Sequence, residues 1–260
     1  MLKLFLTPFL SYKFLLSQLV LRDIKSRYKQ SIMGYAWVIL NPLVQLLVYS
    51  FVFSIIFRFP TNNIPYSIFL FTGLLPWIYL QSSLSTVTLS LVDSSDLLRK
   101  VYFPREVLIY SVIISKSIDF LFACLVLVVF LFYYHITPAG TIIFILPIFL
   151  IQVILMAGIG LILSTFNLFY RDIQYLVNLL LMLWMYLSPV VYPLSMVPKN
   201  FILIYKLNPM VGIIEGYRSA LFNYPFDKGS IVWSLVISSL IFLCGFLIFK
   251  RTEKIFADVV

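Results

Sequence analysis

The residues able to do chemistry in this 260-residue chain are few, and they sit in short joints between long apolar runs. One joint reads Asp93-Ser94-Ser95-Asp96-Leu97-Leu98-Arg99-Lys100-Val101-Tyr102-Phe103-Pro104-Arg105-Glu106. Ser94 or Ser95 can cap a short helix there, with acidic residues favouring its first turn and basic ones its last. Phe103 precedes proline and is biased towards extended backbone. The spacing predicts a stubby helix ending in an aromatic and basic knob, suited to docking another protein. A plain capped connection is the competing reading. A second cluster, Arg22-Asp23-Ile24-Lys25-Ser26-Arg27-Tyr28, offers Arg22, Lys25 and Arg27 to a lipid diphosphate; snorkelling and contact with anionic lipid compete with that use. Arg171-Asp172 forms a compact charged hinge. Lys116 with Asp119, and Glu215 with Arg218, are pairs spaced i,i+3. Ionisable groups at membrane depth mark either a functional path or a structural ion pair, and a proton pathway would make the chain a secondary transporter.

Catalysis is not supported by this inventory. The sequence holds no G-x-x-x-x-G-K-[ST] phosphate loop, so ATP hydrolysis by this chain is not expected. His135 stands alone and makes neither a triad nor a metal site. No carboxylate dyad stands out. Cys124 and Cys244 lie inside apolar runs and read as small core residues without a disulfide. No cofactor is expected in the chain itself.

The elements that must position these joints are membrane helices. The chain is 62% hydrophobic and 11% charged, with a mean hydropathy of +1.03. A soluble domain needs far more polar surface. Six spans can be drawn, near 34–57, 66–92, 107–134, 141–169, 175–197 and 230–250, within a single domain covering 1–260. Of the 19 Lys and Arg, 13 fall at joints on the N-terminal side, 5 at the opposite joints, and Lys116 within a span. The positive-inside rule therefore predicts cytoplasmic termini and an inner-membrane location. The net charge of +9 then reflects basic residues beside anionic lipid rather than a nucleic-acid partner. No cleavable signal peptide is evident, because the first apolar run leads into Arg22, Lys25, Arg27 and Lys29.

Residues 9–30 carry Leu16, Val20 and Ile24 at four-residue steps, which predicts an amphipathic helix along the membrane interface. Asp23 and Arg27 interrupt the stripe and are spaced to pair. Residues 198–229 contain Pro198, Pro209, Pro225 and apolar stretches too short to span, which predicts short re-entrant or surface helices at the outer face. Aromatic residues make up 18% of the chain. Tyr35, Trp37, Tyr49, Trp77, Tyr79, Trp184, Tyr186 and Tyr192 are candidates to line a channel against sugar rings; an interfacial belt or bundle packing competes.

Together these pieces resemble the permease subunits of ABC-2-type polysaccharide exporters, the family that exports O-antigen, capsule and teichoic acid. The resemblance runs through Arg22–Tyr28, Gly34, Trp37 and Pro42, then Lys100-Val101-Tyr102-Phe103-Pro104-Arg105-Glu106, Tyr170-Arg171-Asp172-Ile173, Ser188-Pro189, Leu207-Asn208-Pro209 and Tyr217-Arg218. Tyr170 stands where the family often has phenylalanine. The resemblance implies a homodimer paired with two copies of an ABC ATPase that binds ATP and Mg. It implies contact with the ATPase at the interface helix and at 94–105, through Leu97, Arg99, Lys100, Tyr102, Phe103, Pro104 and Arg105. It further implies a channel between the two copies, and an outer gate at 198–229 involving Pro209, Glu215 and Arg218. The implied substrate is a glycan on a polyprenyl diphosphate, moved outward. The short tail after Lys250 leaves no appended carbohydrate-binding domain to expect. The alternatives are a membrane enzyme acting on polyprenyl lipids and an ABC permease for a small lipid or drug.

Overall fold

The computed structural model describes residues 12–28, 33–34, 36–56, 64–136 and 140–256, and among them every regular element is helical. The helices are α1 (Lys13–Tyr28), α2 (Ala36–Ser50), α3 (Tyr66–Asp93), α4 (Ser95–Lys100), α5 (Glu106–Tyr133), α6 (Ile145–Phe169), α7 (Ile173–Tyr186), α8 (Ile202–Lys206), α9 (Pro209–Phe222) and α10 (Lys228–Thr252). A wider helical turn, Phe51–Ile56, extends α2, and a tighter one, Gly140–Phe144, leads into α6.

Five of these helices, with their extensions, are long and apolar enough to cross a membrane: Ala36–Phe53, Tyr66–Asp93, Glu106–Tyr133, Gly140–Phe169 and Lys228–Ile255. The chain is therefore an integral membrane protein. The span drawn at 175–197 is not one continuous helix. It stops at Tyr186, leaving a 14-residue helix, which at about 1.5 Å per residue reaches about 21 Å against a hydrocarbon core of about 30 Å. Pro189 and Pro193 explain the stop: each lacks an N–H, and each disfavours helix at the residue before it. The chain between them forms turns.

α3 is the buried centre of the bundle, packed against α5 and α6, with α2 and α7 on its flanks. α6 in turn runs along α10 in the most extensive contact between two elements, and α9 is wedged among α3, α6 and α10. Pro76 inside α3 does not break it. Its carbonyl accepts a hydrogen bond from Gln152 Nε2 at 2.7 Å, and Gln152 Oε1 accepts one from Tyr217 at 3.0 Å. Those two bonds tie α3, α6 and α9 together within the bundle, where water cannot compete. Pro147 falls in the first turn of α6, where a missing N–H costs nothing.

α1 lies on α5, with Leu19 and Val20 buried and Leu16 and Ile24 half-buried. The predicted apolar stripe is thus turned onto protein. Asp23 receives hydrogen bonds from its neighbour Arg22 at 3.0 and 3.2 Å. The side chain of Arg27, the partner that spacing predicted, lies outside the described residues, as do the side chain of Tyr28 and the whole of Tyr35.

Candidate functional site

The end of the bundle that gathers Arg22, Asp93 and Lys250 carries the basic joints. There α4 forms the expected stub, with Ser94 at its N-cap, although the carbonyl rather than the side chain of Ser94 accepts the amides of Leu97 and Leu98. Leu98 is buried beneath it, and Asp96, Arg99 and Lys100 face outward. The two aromatic residues that follow divide sharply. Tyr102 is 96% exposed, whereas Phe103 is 4% exposed and belongs to the core. The knob therefore presents Tyr102 alone, and Phe103 anchors the joint from inside. Extended backbone explains this: successive side chains point to opposite sides. Phe103→Ala should cost about 3–5 kcal/mol, while Tyr102→Ala should stay within about 0.5 kcal/mol of the parent chain. Thermal unfolding in detergent checks both, and equal losses would contradict the division.

Arg105 also turns inward. Its amide donates to Glu253 Oε1 at 3.1 Å, and its guanidinium lies 5.8 Å from the centre of the Phe256 ring. Beside it Glu106 is buried and paired with Lys250 at 2.8 Å. Between α1, α3 and α5 lies a cavity of about 380 Å3 lined by Arg22, Asp23, Ser26, Thr86, Ser90 and Asp93. Its hydroxyl groups and mixed charges suit a hydrated polar ligand. Lys25 is exposed nearby on the sequence, and Arg171 and Asp172 are both exposed at the joint between α6 and α7.

Polar side chains continue along the middle of the bundle. Ser85 on α3 donates to Asn178 on α7 at 3.0 Å, and Gln45 donates to Asn41 along α2 at 3.2 Å. Gln81 shares the α3 face of Ser85, and Gln81, Asn178 and Asn41 are exposed. A smaller cavity of about 180 Å3 has Trp37, Asn41, Tyr79, Ser82, Lys116 and Asp119 in its wall. Exposed amides at membrane depth are costly against lipid and suit a water-filled or polar path. The aromatic candidates separate here too. Trp37 and Tyr186 are exposed, and Tyr49, Trp184 and Tyr192 are half-buried. Trp77 and Tyr79 are covered by neighbouring side chains, at 1% and 2% exposed. Trp77 meets Trp184 edge-on, and Tyr79 stacks on Phe120 and Phe149 and bonds to Ser117.

At the opposite end, Arg218 is fully buried and organises its surroundings. Its Nη1 donates to Pro189 O at 2.7 Å and to Glu215 at 2.8 Å, and its Nη2 donates to Val190 O at 2.9 Å. The guanidinium also stands 3.6 Å over the Phe69 ring. Asn208 caps α9 and simultaneously holds the end of α7. Its Oδ1 accepts from Met210 N and Trp184 Nε1, and its Nδ2 donates to Leu187 O and Ser188. Tyr192 and Tyr205 share a hydrogen bond at 2.8 Å. Pro209 occupies the first turn of α9, and its carbonyl accepts from Ser234 on α10. Lys206 pairs with Asp227, the N-cap of α10, and holds that carboxyl below the usual carboxylate range.

The sequence profile of the ABC-2 type transporter family matches residues 15–222, four-fifths of the chain and every element from α1 to α9. This chain belongs to the ABC-2 type transporter family. Among its relatives are two O-antigen export system permease proteins named RfbA. One, from Klebsiella pneumoniae, is 34% identical over 239 residues and 92% of each chain. The other, from Myxococcus xanthus, is 32% identical over 250 residues and 95% of each chain. The polysialic acid transport protein KpsM of Escherichia coli is 26% identical over 241 residues, 91% of this chain and 92% of its own.

In this ABC-2 family chain the structure brings 94–105 together with the end of α10, and Glu215 and Arg218 together with the turn after α7. It leaves Arg171 and Asp172 exposed, with Arg171 within electrostatic reach of Asp93, and Trp77 and Tyr79 in the core. Sequence reasoning missed the roles of Asn208, Glu106, Lys250 and Glu253. For Asn208 a signal existed, since Asn directly before Pro is a helix-start pair. Lys250 and Glu253, spaced i,i+3, offered one too, whereas Glu106 had none, because its partner Lys250 is 144 positions away.

Proposed function

We propose that this chain is the membrane subunit of an ATP-driven exporter that moves a polysaccharide, O-antigen-like and carried on a polyprenyl diphosphate, outward across the cytoplasmic membrane. The observation that carries the reading is similarity over more than nine-tenths of both chains to O-antigen export permeases. The exposed amides and aromatics on α2, α3 and α7 support it, because a sugar chain needs hydrogen-bond partners and flat apolar faces within the membrane. In this reading both termini are cytoplasmic, and α7 with the turns after it completes a sixth crossing.

Two copies of the chain form the channel, and each engages one copy of a separate ABC ATPase that binds ATP and Mg. Tyr102, Leu97, Arg99 and Lys100 meet the ATPase, while Phe103, Pro104 and Arg105 hold that surface from within. Arg22, Lys25 and Arg27 on α1 receive the lipid diphosphate. Trp37, Tyr49, Trp184, Tyr186 and Tyr192 pass the sugar chain, and α8 and α9 with Pro209, Glu215 and Arg218 form the outer gate. Closure of the ATPases on ATP displaces the 94–105 joint and with it the bundle.

Deletion of the gene tests the reading. Lipid-linked glycan is expected to accumulate in the cytosol and to disappear from the cell surface, and an ABC ATPase is expected to co-purify with the tagged chain. Normal surface glycan in the deletion strain would overturn it, and accumulation of a small lipid instead would shift it to a different cargo.

A further inference from the structure

The last turn of α10 and the residues after it touch both joints at the basic end. Lys250 reaches both carboxylate oxygens of Glu106, at 2.8 and 2.9 Å, and Glu253 at 2.9 Å. Glu253 in turn accepts the amide of Arg105 with its other oxygen. Phe256 is fully buried and meets Phe249 of α10 and Phe169, the last residue of α6, edge-on at 5.2 and 6.4 Å. Arg105 covers the Phe256 ring. One short segment thus holds the start of α5, directly after the Tyr102 knob, and the end of α6, directly before Arg171.

A buried ion pair is weak support for stability, since an apolar pair of the same volume often does as well. What it supplies is a directional fixed geometry, and here the geometry spans two joints that Asp93 and Arg171 also bring within electrostatic reach of each other. The close packing of α10 on α6 carries the same constraint towards the opposite end: a Cβ at Gly158 would stand 2.6 Å from the Phe242 backbone.

We propose that Lys250–Phe256 is a clasp that holds the 95–105 and 170–172 joints at one spacing, so that both move as a unit with α10. Lys250, Glu253 and Phe256 are positioning residues. The inference rests on the exporter reading, in which displacement of the 95–105 joint drives transport.

The test uses the permease–ATPase complex and compares glycan exported with ATP hydrolysed. In the double variant Glu106→Met/Lys250→Met the buried charges leave together, so accumulation in the membrane is expected to stay normal. Export per ATP is expected to fall about tenfold while ATP turnover persists. Lys250→Arg keeps the bidentate pair and is expected to retain wild-type coupling; Arg251→Ala, an exposed neighbour, serves as the control. Glu253→Ala, which leaves the Glu106–Lys250 pair intact, is expected to lower coupling about threefold and decides the matter should the double variant not accumulate. Wild-type coupling in every clasp variant that accumulates would overturn the proposal. Absence of glycan export by the wild-type complex would instead sink the exporter reading.

Discussion

Arg218→Ala is expected to remove about 3–5 kcal/mol of stability, the cost of breaking a buried charge pair from one side, and with it most of the folded protein in the membrane. The side chain is wholly inaccessible and is the common partner of four groups from three parts of the chain. Glu215 belongs to α9, Pro189 and Val190 to the turn after α7, and the Phe69 ring to α3. Truncation leaves two carbonyls without donors, each costing about 1–3 kcal/mol where no water can replace the bond. These losses overlap and do not simply add. Gly73 shows how closely the site is built, because a Cβ there would lie 2.7 Å from Arg218 Nη2 and 2.9 Å from Val190 O. Arg218→Lys should recover only part of the loss, since an ammonium cannot present the planar fork that bonds Pro189 and Val190 from separate nitrogens. Glu215→Gln should cost least of the three, because its amide oxygen still accepts and the position is partly exposed. Thermal unfolding in detergent and membrane abundance measure the series. An unfolding temperature for Arg218→Ala within a degree or two of the parent would refute the cluster's structural weight.

Gly158→Val is also expected to be a large loss, at least about 3 kcal/mol, with Gly158→Ala costing about 1–3 kcal/mol. At Gly158 an added Cβ meets backbone atoms of α10, Phe242 N and Cα at 2.6 Å and Ile241 C at 2.8 Å, so no side-chain rotation can relieve it. Gly245 on the facing helix would press its Cβ onto the Gly158 carbonyl. Helix pairs in lipid gain little from apolar burial, which the acyl chains offer equally, and depend on close van der Waals approach. Forcing α6 and α10 apart therefore removes the contact rather than loosening it. Gly140→Ala is the matched control, because nothing lies within 4 Å of its added Cβ. Equal abundance and unfolding temperature for Gly158→Val and Gly140→Ala would show that the α6–α10 approach is not limiting.

The joints and the aromatic candidates show where sequence reading stopped. The short helix at 95–100 was legible because Ser, Asp, Leu, Arg and Pro act on backbone within a few residues of themselves. Which of Tyr102 and Phe103 faces the core was not, since alternation assigns opposite sides without saying which side is inside. The eight aromatic candidates were chosen by type and depth, yet Trp77 and Tyr79 sit on α3, which every neighbour covers, and so became core. The pairing of Glu215 with Arg218 followed from their helical spacing. The burial of Arg218 did not, because it depends on the turn at Pro189 and Val190 folding back over α9.

The sequence by itself determined that the chain is a bundle of membrane helices, that its cations gather at alternate joints, and that its motifs follow the order of ABC-2 polysaccharide permeases. Transfer of apolar side chains out of water is decided run by run, and so is the cost of placing a charge in lipid. Both can be read locally. Only the tertiary structure decided that the drawn fifth span ends at Tyr186, that Asn208 and Arg218 bind the chain around that break, and that Lys250 and Glu253 close onto Arg105 and Glu106. Those outcomes depend on which buried polar group finds which partner. A membrane interior offers such groups no water, and their protein partners lie on helices that meet only when the whole bundle has packed.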